Sequence, residues 1–410
     1  MTRCPMDSFD PFSPFYLSDP YLYYAQLPPL FYYEQLNLWV ISKHEDVEAV
    51  LKDPYTFSAV NSLDPIASFS EAARRELGHH FPQPPTLVNA DVDVHRRIRP
   101  IVQRAFSPRR VKTMERPIRS LAAELISDLP RTEPFDLVAR LSYPVPAYVI
   151  FKLLGFPPQD FTMLKSWCGN RLDFLFGLSS DMQQLDIAKR MRLYWNYCID
   201  FIRRKFSAPG DDLTTDLIAI RREEPDLLTE LEIAALIFNL SLAGHETTTN
   251  LISNAVRRLL EHRQAWEALG ADSDLVPGAV EETLRYDTSV ISWRRVTTKP
   301  VSLHGQVIPV NSNILLLLAA AGRDPDKFRT PERFDIYRND SGSHLAFGKG
   351  IHYCAGASLA RLEAGIVLEL LTKAFPDLQL EPDRRLDFIS NLSLRGPKEL
   401  WVRTSTADRT

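Results

Sequence analysis

A single cysteine, Cys354, stands in a stretch whose other residues suit a cofactor that carries a metal. The stretch runs from His344 to Arg361 and reads HLAFGKGIHYCAGASLAR. Phe347 precedes the cysteine, and a helix-forming run follows it, so helix-end N–H groups favour a thiolate at Cys354. Three glycines let the backbone fold closely against a flat object: Gly348, Gly350 and Gly356. A thiolate in such a loop can ligate haem iron from one side.

Two other interpretations of Cys354 remain open. A free cysteine is most often a small buried hydrophobic residue. The second interpretation is a zinc site formed by His344, His352 and Cys354. That site has no fourth ligand nearby and no C-x-x-C pair, both of which are usual in structural zinc sites.

The loop resembles the haem-binding loop of the cytochromes P450. The matching residues, at every spacing, are Phe347, Gly348, Gly350, His352, Cys354, Ala355 and Gly356. This resemblance implies that Cys354 is the axial ligand of haem b, the iron protoporphyrin IX. It also implies that Phe347, Gly348, His352 and Gly356 contact the cofactor.

A second motif interrupts a long apolar helix. The 3.6-residue periodicity predicts this helix from Leu231 to Leu260. In its middle lies the run Ala243-Gly244-His245-Glu246-Thr247-Thr248. The small residues Ala243 and Gly244 would leave clearance for a flat ligand and a diatomic molecule. The Thr247 hydroxyl can bond the Ala243 carbonyl and bend or open the helix.

This motif resembles the oxygen-binding groove of the same family. The resemblance implies that Thr247 holds bound O2 and that Glu246 relays protons from solvent, which makes both residues catalytic. It also implies that Ala243 and Gly244 contact the haem. The alternative is a polar patch in the middle of the helix that faces water.

Several cationic residues would neutralise the two haem propionates. The resemblance assigns this role to five residues: His95, Arg99, Arg295, His344 and His352. His95 and Arg99 are four apart and share a helix face. Pro100 disfavours a helical Arg99, so we expect a kink there and a less secure Arg99 contact. The basic run around these residues can also be read as a solvated face.

A charged pair lies between the two motifs. Glu282 and Arg285 are three residues apart, and the family joins such a pair to a later arginine. Here the sequence predicts Arg333 in that third position. Such a network can be buried without an unpaired charge.

Composition excludes several classes of protein. The 410 residues carry a net charge of −4 without a dominant basic stripe, which argues against nucleic-acid binding. The four cysteines have no paired spacing, which favours a reducing compartment, the cytoplasm. The N-terminal stretch has no apolar core of a signal peptide. The longest apolar run, Ile314 to Ala321, is too short to span a bilayer, so we expect no membrane association.

The resemblance predicts one domain over residues 1–410, mainly α with small β sheets, in the cytochrome P450 (haem-thiolate) fold. Local patterns predict a strand at Leu38–Ser42 and a helix at Glu45–Lys52. Asn61–Asn89 has no clear periodicity, and by resemblance it roofs the substrate pocket. The apolar stretch Trp167–Leu178 is either a lid or ordinary core.

The implied activity is a monooxygenase that inserts one atom of O2 into a hydrophobic substrate of medium size, by hydroxylation or oxidative dealkylation. Electrons would come from a ferredoxin and its reductase, because the chain has no G-x-G-x-x-G fingerprint. We expect a monomer. A peroxide-driven peroxygenase and a non-catalytic haem carrier or sensor are the alternatives. Basic residues that could steer an acidic partner are Arg109, Arg110, Lys349 and Arg361, and residues expected to face substrate are Val290, Ile291, Trp293, Leu392 and Leu394.

Overall fold

Helices account for most of the regular structure in the computed structural model, which describes residues 9–78, 81, 83–169 and 171–404. In these ranges none of the helices is long and apolar enough to cross a membrane. The α-helices of the described residues are α1 Pro14–Ser18, α2 Tyr21–Tyr24, α3 His44–Lys52, α4 Glu71–Leu77, α5 Val92–Ala105, α6 Pro108–Ser127, α7 Pro144–Leu154, α8 Phe161–Cys168, α9 Arg171–Phe176, α10 Asp181–Ser207, α11 Leu213–Glu223, α12 Glu230–Glu261, α13 Arg263–Ala271, α14 Val276–Tyr286, α15 Leu318–Ala321 and α16 Ala357–Ala374.

Three small sheets lie beside the helices. The strands are β1 Leu30–Tyr33, β2 Leu38–Ile41, β3 Phe57–Ser58, β4 Phe135–Asp136, β5 Trp293–Thr297, β6 Val301–Leu303, β7 Gln306–Ile308, β8 Asn313–Leu316, β9 Leu378–Leu380 and β10 Trp401–Thr404. Their orders are β1-β2-β8-β5-β3, β4-β10-β9 and β6-β7. The predicted class, mainly α with small β sheets, is confirmed, as are the strand at β2 and the helix at α3.

The central helix α12 runs through the middle of the helical body. Thr229 caps it reciprocally with Glu232: the Glu232 N–H donates to the Thr229 hydroxyl over 3.2 Å, and the Thr229 N–H donates to the Glu232 carboxylate over 2.8 Å. Its 32 residues make it about 48 Å long. Helices α7, α10, α14 and α16 pack against it. The predicted helix from 231 to 260 is therefore present, and it is long enough to carry a site in its interior.

Two local expectations in the first part of the chain concern Pro100 and the stretch from 61 to 89. Helix α5 continues through Pro100 without a break. Pro100 is exposed, so the Arg96 carbonyl that loses its helical donor can bond water instead. The stretch from 61 to 89 is not wholly irregular, because the Ser70 hydroxyl accepts a bond from the Ala73 N–H and starts helix α4.

Glu282 and Arg285 form the predicted buried pair, but its third member is different. Arg285 Nε and Nη2 donate to the two Glu282 carboxylate oxygens over 2.7 and 2.8 Å. The Nε of Arg338 lies 3.4 Å from the same carboxylate. Arg333, which the sequence placed there, has a side chain 72% exposed and contributes only its carbonyl, which accepts from Arg285 Nη2. Residue 333 lies in a turn that directs its side chain to solvent.

A second buried carboxylate, Asp287, joins distant parts of the chain. It accepts hydrogen bonds from Arg257 Nη2, from Arg258 Nε over 2.9 Å and from Arg395 Nε over 3.1 Å. The Tyr21 hydroxyl also donates to it over 3.1 Å. Burial alone would raise the pKa of Asp287, but the surrounding arginines hold it far below its usual value. These five residues, the Asp287 cluster, connect α2, α12, the end of α14 and the C-terminal segment.

Candidate functional site

The loop before α16 places Cys354 at the base of a cavity. The Cys354 N–H donates to the Phe347 carbonyl over 2.9 Å and closes the loop. Gly348 and Gly350 both have a φ of +68°, a conformation that residues with side chains rarely adopt. A Cβ on Gly350 would also lie 2.6 Å from the Leu51 carbonyl oxygen. Glycine at these positions therefore lets the loop fold tightly against the end of α3.

The Cys354 thiol is deeply placed, yet its accessible surface forms part of the cavity wall. Burial raises the pKa of this thiol, whereas the Gly356 N–H and the charges of Arg99 and Arg361 act in the opposite direction. The helix end predicted to favour a thiolate is present, but burial outweighs it in the protein alone. A metal ion that binds the sulfur would reverse this balance, because coordination deprotonates a thiol.

The cavity has a volume of about 240 Å³ and brings the two sequence motifs together. Ala243, Gly244 and Thr247 of α12 and the Cys354 loop belong to the same cavity wall. Most of the other wall residues are apolar, including Leu87, Leu240, Leu251, Val290, Trp293 and Phe347. The arrangement therefore combines a sulfur ligand, a polar notch on α12 formed by Ala243–Thr247, and an apolar lining.

Gly244 has a different structural reason from the one that the sequence suggested. A Cβ on this residue would lie 2.8 Å from the Cδ1 atom of Ile150 on α7. The absence of a side chain therefore allows α7 to pack closely against α12. Ala243 is the residue of this pair that is exposed toward the cavity. The expected clearance for a ligand thus comes from position 243, while Gly244 lines the cavity through its backbone.

Thr247 makes the local contact predicted from its spacing. Its hydroxyl donates to the Ala243 carbonyl over 2.8 Å. Helix α12 nevertheless runs without interruption through this turn, so the predicted opening of the helix does not occur. The hydroxyl lies in the cavity wall, and its oxygen can still accept a hydrogen bond.

Glu246 and His245 point away from the cavity into the protein. Burial raises the pKa of Glu246 to about 8, with Asp173 adding to the effect and Arg171 opposing it. One carboxyl oxygen of Glu246 is buried without a hydrogen-bond partner. His245 is fully buried, its ring centroid lies 4.2 Å from that of Tyr143, and burial lowers its pKa to about 3. Both residues are therefore neutral near pH 7, and Glu246 holds a proton.

Cationic residues in the cavity wall fit an anionic cofactor. Arg99, Arg295 and His352 line the cavity. The Nη1 of Arg295 donates only to neutral oxygens, those of Ser62 and of the Arg294 carbonyl. Burial lowers the pKa of Arg295 to about 10. The two arginines are therefore suited to two carboxylates supplied from the cavity side, as haem propionates would be, while burial lowers the pKa of His352 to about 3 and leaves its ring neutral.

His95 packs against His352 and is not itself part of the cavity wall. Its ring centroid is 4.6 Å from that of His352, and its Nε2 atom is buried without a partner. Burial, together with the charge of Arg99, lowers the pKa of His95 to about 4. A buried ring nitrogen without a partner needs an acceptor or donor from elsewhere. The donor set therefore fits a haem whose propionates lie among Arg99, Arg295, His95 and His352.

The structure does not bring His344 to the cavity. Its Nδ1 accepts a bond from the Ala346 N–H, and its Nε2 lies 3.4 Å from the Glu281 carboxylate. Arg361 donates to the same carboxylate over 2.5 and 3.0 Å. Burial raises the pKa of Glu281, but the bonds from His344 and Arg361 outweigh this and lower it to about 2. We therefore correct the propionate prediction for His344, which pairs with an acidic residue of α14 instead.

The zinc alternative has no set of ligands. His344 is turned toward Glu281, and His352 Nδ1 donates to the Leu87 carbonyl over 3.0 Å. Across the ranges that the structure describes, no three His, Cys, Asp or Glu side chains are grouped to hold a metal ion.

The predicted substrate-facing residues divide into two groups. Val290 and Trp293 line the cavity. Ile291, Leu392 and Leu394 are buried beside it, where Leu394 pairs with Val290 in an isolated bridge. Leu87 and Val88 line the cavity and belong to the stretch 61–89 that was expected to roof it. Sequence reasoning missed the wall residues Phe106, Ile150, Leu240 and Ser289. An apolar residue has no pattern that separates a cavity wall from ordinary core.

A comparison with protein families gives a match over most of the chain. The family described as Cytochrome P450 matches residues 30–400. Cytochrome P450 107B1 of Saccharopolyspora erythraea is 37% identical over 372 residues, which cover 90% of this chain and 89% of the relative. Cytochrome P450 monooxygenase PikC of Streptomyces venezuelae is 36% identical, with 90% and 85% covered. Erythromycin C-12 hydroxylase of Saccharopolyspora erythraea is 33% identical, with 92% and 91% covered.

Solved structures share the same architecture. Cytochrome P450 CREJ, in complex with (4-ethylphenyl) dihydrogen phosphate, superposes with a TM-score of 0.93 at 34% identity. The superposition covers 98% of this chain and 100% of that one. An intact type IV self-sufficient cytochrome P450 monooxygenase also superposes with a TM-score of 0.93, at 33% identity. That superposition covers 98% of this chain and 53% of the other chain.

Proposed function

The chain belongs to the cytochrome P450 family, and from this premise we propose that it oxidises a medium-sized hydrophobic substrate by hydroxylation or oxidative dealkylation. Proteins of the family are haem-thiolate monooxygenases that use O2, a small organic substrate and a redox partner. The observation that carries the proposal is the shared cavity, whose wall contains the Cys354 thiol and the Ala243–Thr247 notch. We further propose that the cofactor is haem b.

The residues that would hold haem b follow from the cavity wall. Cys354 would ligate the iron, Phe347 and Gly348 would pack against the ring, and Gly356 would donate its N–H to the sulfur. Arg99, Arg295, His95 and His352 would bind the propionates. When bound, thiolate-ligated haem supplies the site at which O2 is reduced and its O–O bond is cleaved.

Glu246 and Thr247 would deliver protons to the cavity. Glu246 keeps its proton near neutral pH because burial disfavours its carboxylate. Thr247 follows it directly and has its hydroxyl in the cavity wall, where that hydroxyl already donates to the Ala243 carbonyl. In this proposal the carboxyl of Glu246 is the proton reservoir, and the Thr247 oxygen accepts a proton from one side as it gives one to the other.

The lining favours an apolar substrate. Leu87, Leu240, Val290 and Trp293 would exclude water from the reacting carbon. Among the relatives, CREJ was solved with an ethylphenyl phosphate, and another is named for hydroxylation of erythromycin. Their different ligands support the general type of substrate and leave its identity to direct screening.

We propose a ferredoxin as the electron donor, since basic residues at the surface could meet an acidic partner. Arg109 is exposed, and Lys349 lies 3.7 Å from Glu48 at a partly exposed position. Arg110 and Arg361 are already paired, with Asp216 and Glu281 respectively, and are less free to meet a partner. Lys349 is paired more loosely, at 3.7 Å from Glu48, so Arg109 and Lys349 are the better candidates for steering an acidic ferredoxin.

Three further proposals concern organisation. The buried apolar residues from Phe9 to Val402 belong mainly to one contiguous cluster, which supports a single domain over residues 1–410. The buried cysteines Cys168 and Cys198 are free, which is compatible with the cytoplasm. We also propose that the protein acts as a monomer.

The decisive experiment is the carbon monoxide difference spectrum of the reduced holoenzyme. Wild type should give the band typical of thiolate-ligated haem, and Cys354→Ala should lose it. Retention of that band in the variant would refute the axial role of Cys354. NADPH-driven product formation with a ferredoxin and its reductase would support the monooxygenase, whereas turnover with peroxide alone would support a peroxygenase and spectral binding without turnover a haem sensor.

A further inference from the structure

Arg171 is a buried cation without a counter-ion. It begins α9, is only 6% exposed, and is the one basic residue of the apolar stretch from 167 to 178. Its Nη2 donates to the Asn239 side-chain oxygen over 2.9 Å, and its guanidinium carbon lies 4.0 Å from the Phe238 ring centroid. Its Nε and Nη1 atoms are buried and have no hydrogen-bond partner. Among the described residues, no carboxylate lies within 4.0 Å of it.

Glu246, an acidic side chain that interacts with Arg171, does not neutralise it. Burial raises the pKa of Glu246 to about 8, so its carboxyl is protonated near neutral pH. Leaving an arginine in this state is costly, because one amide bond and an aromatic face replace only part of the hydration that the buried charge loses.

Gln83 adds a further N–H donor without an acceptor beside Arg171. The Asn239 side-chain nitrogen donates to Gln83 Oε1 over 3.3 Å, and Gln83 Nε2 is buried without a partner. Asn239 thus connects Arg171 with the segment that precedes α5. We call Arg171, Asn239 and Gln83 the Arg171 site. It presents three N–H-bearing atoms without acceptors: Arg171 Nε, Arg171 Nη1 and Gln83 Nε2.

The Arg171 site lies in line with the cavity wall. Asn239, Ala243 and Thr247 follow one another at intervals of four residues and so share a face of α12. Ala243, Thr247 and Leu240 line the cavity. Asn239 is therefore one helical turn beyond the notch, roughly 5–6 Å along the helix.

We propose that the Arg171 site binds an oxyanion of the substrate, which is then an apolar molecule with a carboxylate or phosphate group at the end remote from the oxidised carbon. This inference rests on the proposed function. A guanidinium binds such groups through paired N–H bonds, and here two donors already point to no other acceptor. The anion would also supply the missing counter-charge, so binding would favour acidic substrates over neutral molecules of the same shape.

The first test needs no ligand. Arg171→Met and Arg257→Met are compared in the holoenzyme by thermal unfolding, since Arg257 is similarly buried but donates to Asp287. We expect Arg257→Met to lower the melting temperature by several degrees and Arg171→Met to leave it unchanged or raise it. An equal loss in both variants would show that the fold itself neutralises Arg171 and would overturn the proposal.

The second test measures binding by the spin-state change of the haem spectrum. Dodecanoate, 4-ethylbenzoate and 4-ethylphenyl phosphate are each titrated beside a neutral counterpart, namely dodecanamide, 4-ethylbenzamide and 4-ethylanisole. At least one acid should bind wild type about tenfold more tightly than its counterpart, which corresponds to ~1.4 kcal/mol. Arg171→Gln should abolish that preference, and Arg171→Lys should keep part of it.

The outcomes separate the two proposals. A panel in which no acid outperforms its neutral counterpart on wild type overturns the oxyanion site, and so does an acid preference that survives in Arg171→Gln. A preference for the phosphate alone or for the carboxylates alone identifies the source of the oxyanion. Failure of the proposed function would appear separately, as loss of the thiolate-type carbon monoxide band in wild type.

Discussion

The Asp287 cluster and the Arg171 site both bury arginine, but they treat its charge differently. Around Asp287, three arginines and a tyrosine hydroxyl donate to one carboxylate. At the Arg171 site, one arginine has a neutral amide and an aromatic face as its partners. In the Asp287 cluster each arginine donates to a carboxylate, which stabilises the fold, whereas the Arg171 donors that lack an acceptor are a cost that function can explain.

Substitution of Asp287 by asparagine should have the largest effect on stability. The variant leaves the buried Arg257 and Arg395 and the partly buried Arg258 around a neutral group. We expect a loss of about 3–5 kcal/mol in the free energy of unfolding. Urea denaturation of the holoenzyme would measure it. A loss no greater than that of an exposed control, Asp200→Asn, would end the distinction between the two regions.

Glu246→Gln should change how the stability of the protein depends on pH. The pKa of Glu246 is raised to about 8 in the folded protein, while in the unfolded chain it has its ordinary value near 4.5. Between these values the folded state holds more protons, so stability is full below the lower value and falls as pH rises toward the upper one.

The glutamine variant should therefore match wild type in stability at pH 4 and exceed it at pH 8.5, by a few kcal/mol at most. Its turnover should fall, because the proton reservoir is gone. Denaturation at the two pH values and steady-state product formation measure these effects. A variant that is less stable than wild type at pH 8.5 would contradict the buried, protonated state of Glu246.

Thr247→Ala removes a hydroxyl that we expect to matter for activity and to contribute little to stability. Loss of its bond to the Ala243 carbonyl should change stability by only about 0.5–1.5 kcal/mol. Haem binding should persist, while electrons pass to hydrogen peroxide and product per NADPH falls roughly tenfold. Thr249→Ala is the matched control, since its hydroxyl bonds the His245 carbonyl away from the cavity. An unchanged yield per NADPH in Thr247→Ala would refute its role in proton delivery.

Gly244→Ala should give the smallest effect and tests how tightly the site region is packed. The new methyl group would meet Ile150 at 2.8 Å, a cost of about 1–3 kcal/mol that helix propensity offsets by ~1 kcal/mol. Gly365→Ala on α16 is the control, because its Cβ would meet Val276 at 3.6 Å, an ordinary contact. We expect the control to be stabilised and Gly244→Ala to be destabilised. The reverse order, read from thermal unfolding, would contradict the close α7–α12 packing.

The sequence predicted those features that depend on short-range chemistry. The Cys354 loop, the long helix α12 and the Thr247 bond to Ala243 all follow from spacings of a few residues. The family resemblance then supplied the fold class. These features depend on residues close together in the sequence, so predicting them does not require knowledge of the tertiary packing.

The errors concern side-chain direction, which depends on tertiary packing. Arg333 and Arg338 are close in sequence, but only Arg338 turns inward to Glu282. His344 faces Glu281 because α14 passes beside it. Pro100 lies on the exposed face of α5, where the Arg96 carbonyl can bond water, and the helix continues through it. The lone arginine in an apolar stretch was the available signal for the Arg171 site, although nothing local indicated its partner Asn239.

The contacts of Arg395 also set the order in which this molecule can be completed. Its Nη1 and Nη2 atoms donate to the Leu17 and Ser18 carbonyls, 378 and 377 residues earlier in the chain. During synthesis, the segment around α1 emerges from the ribosome well before this arginine. The α1 segment therefore lacks this anchor until residue 395 has been made, and its docking through Arg395 comes after the residues between them have emerged.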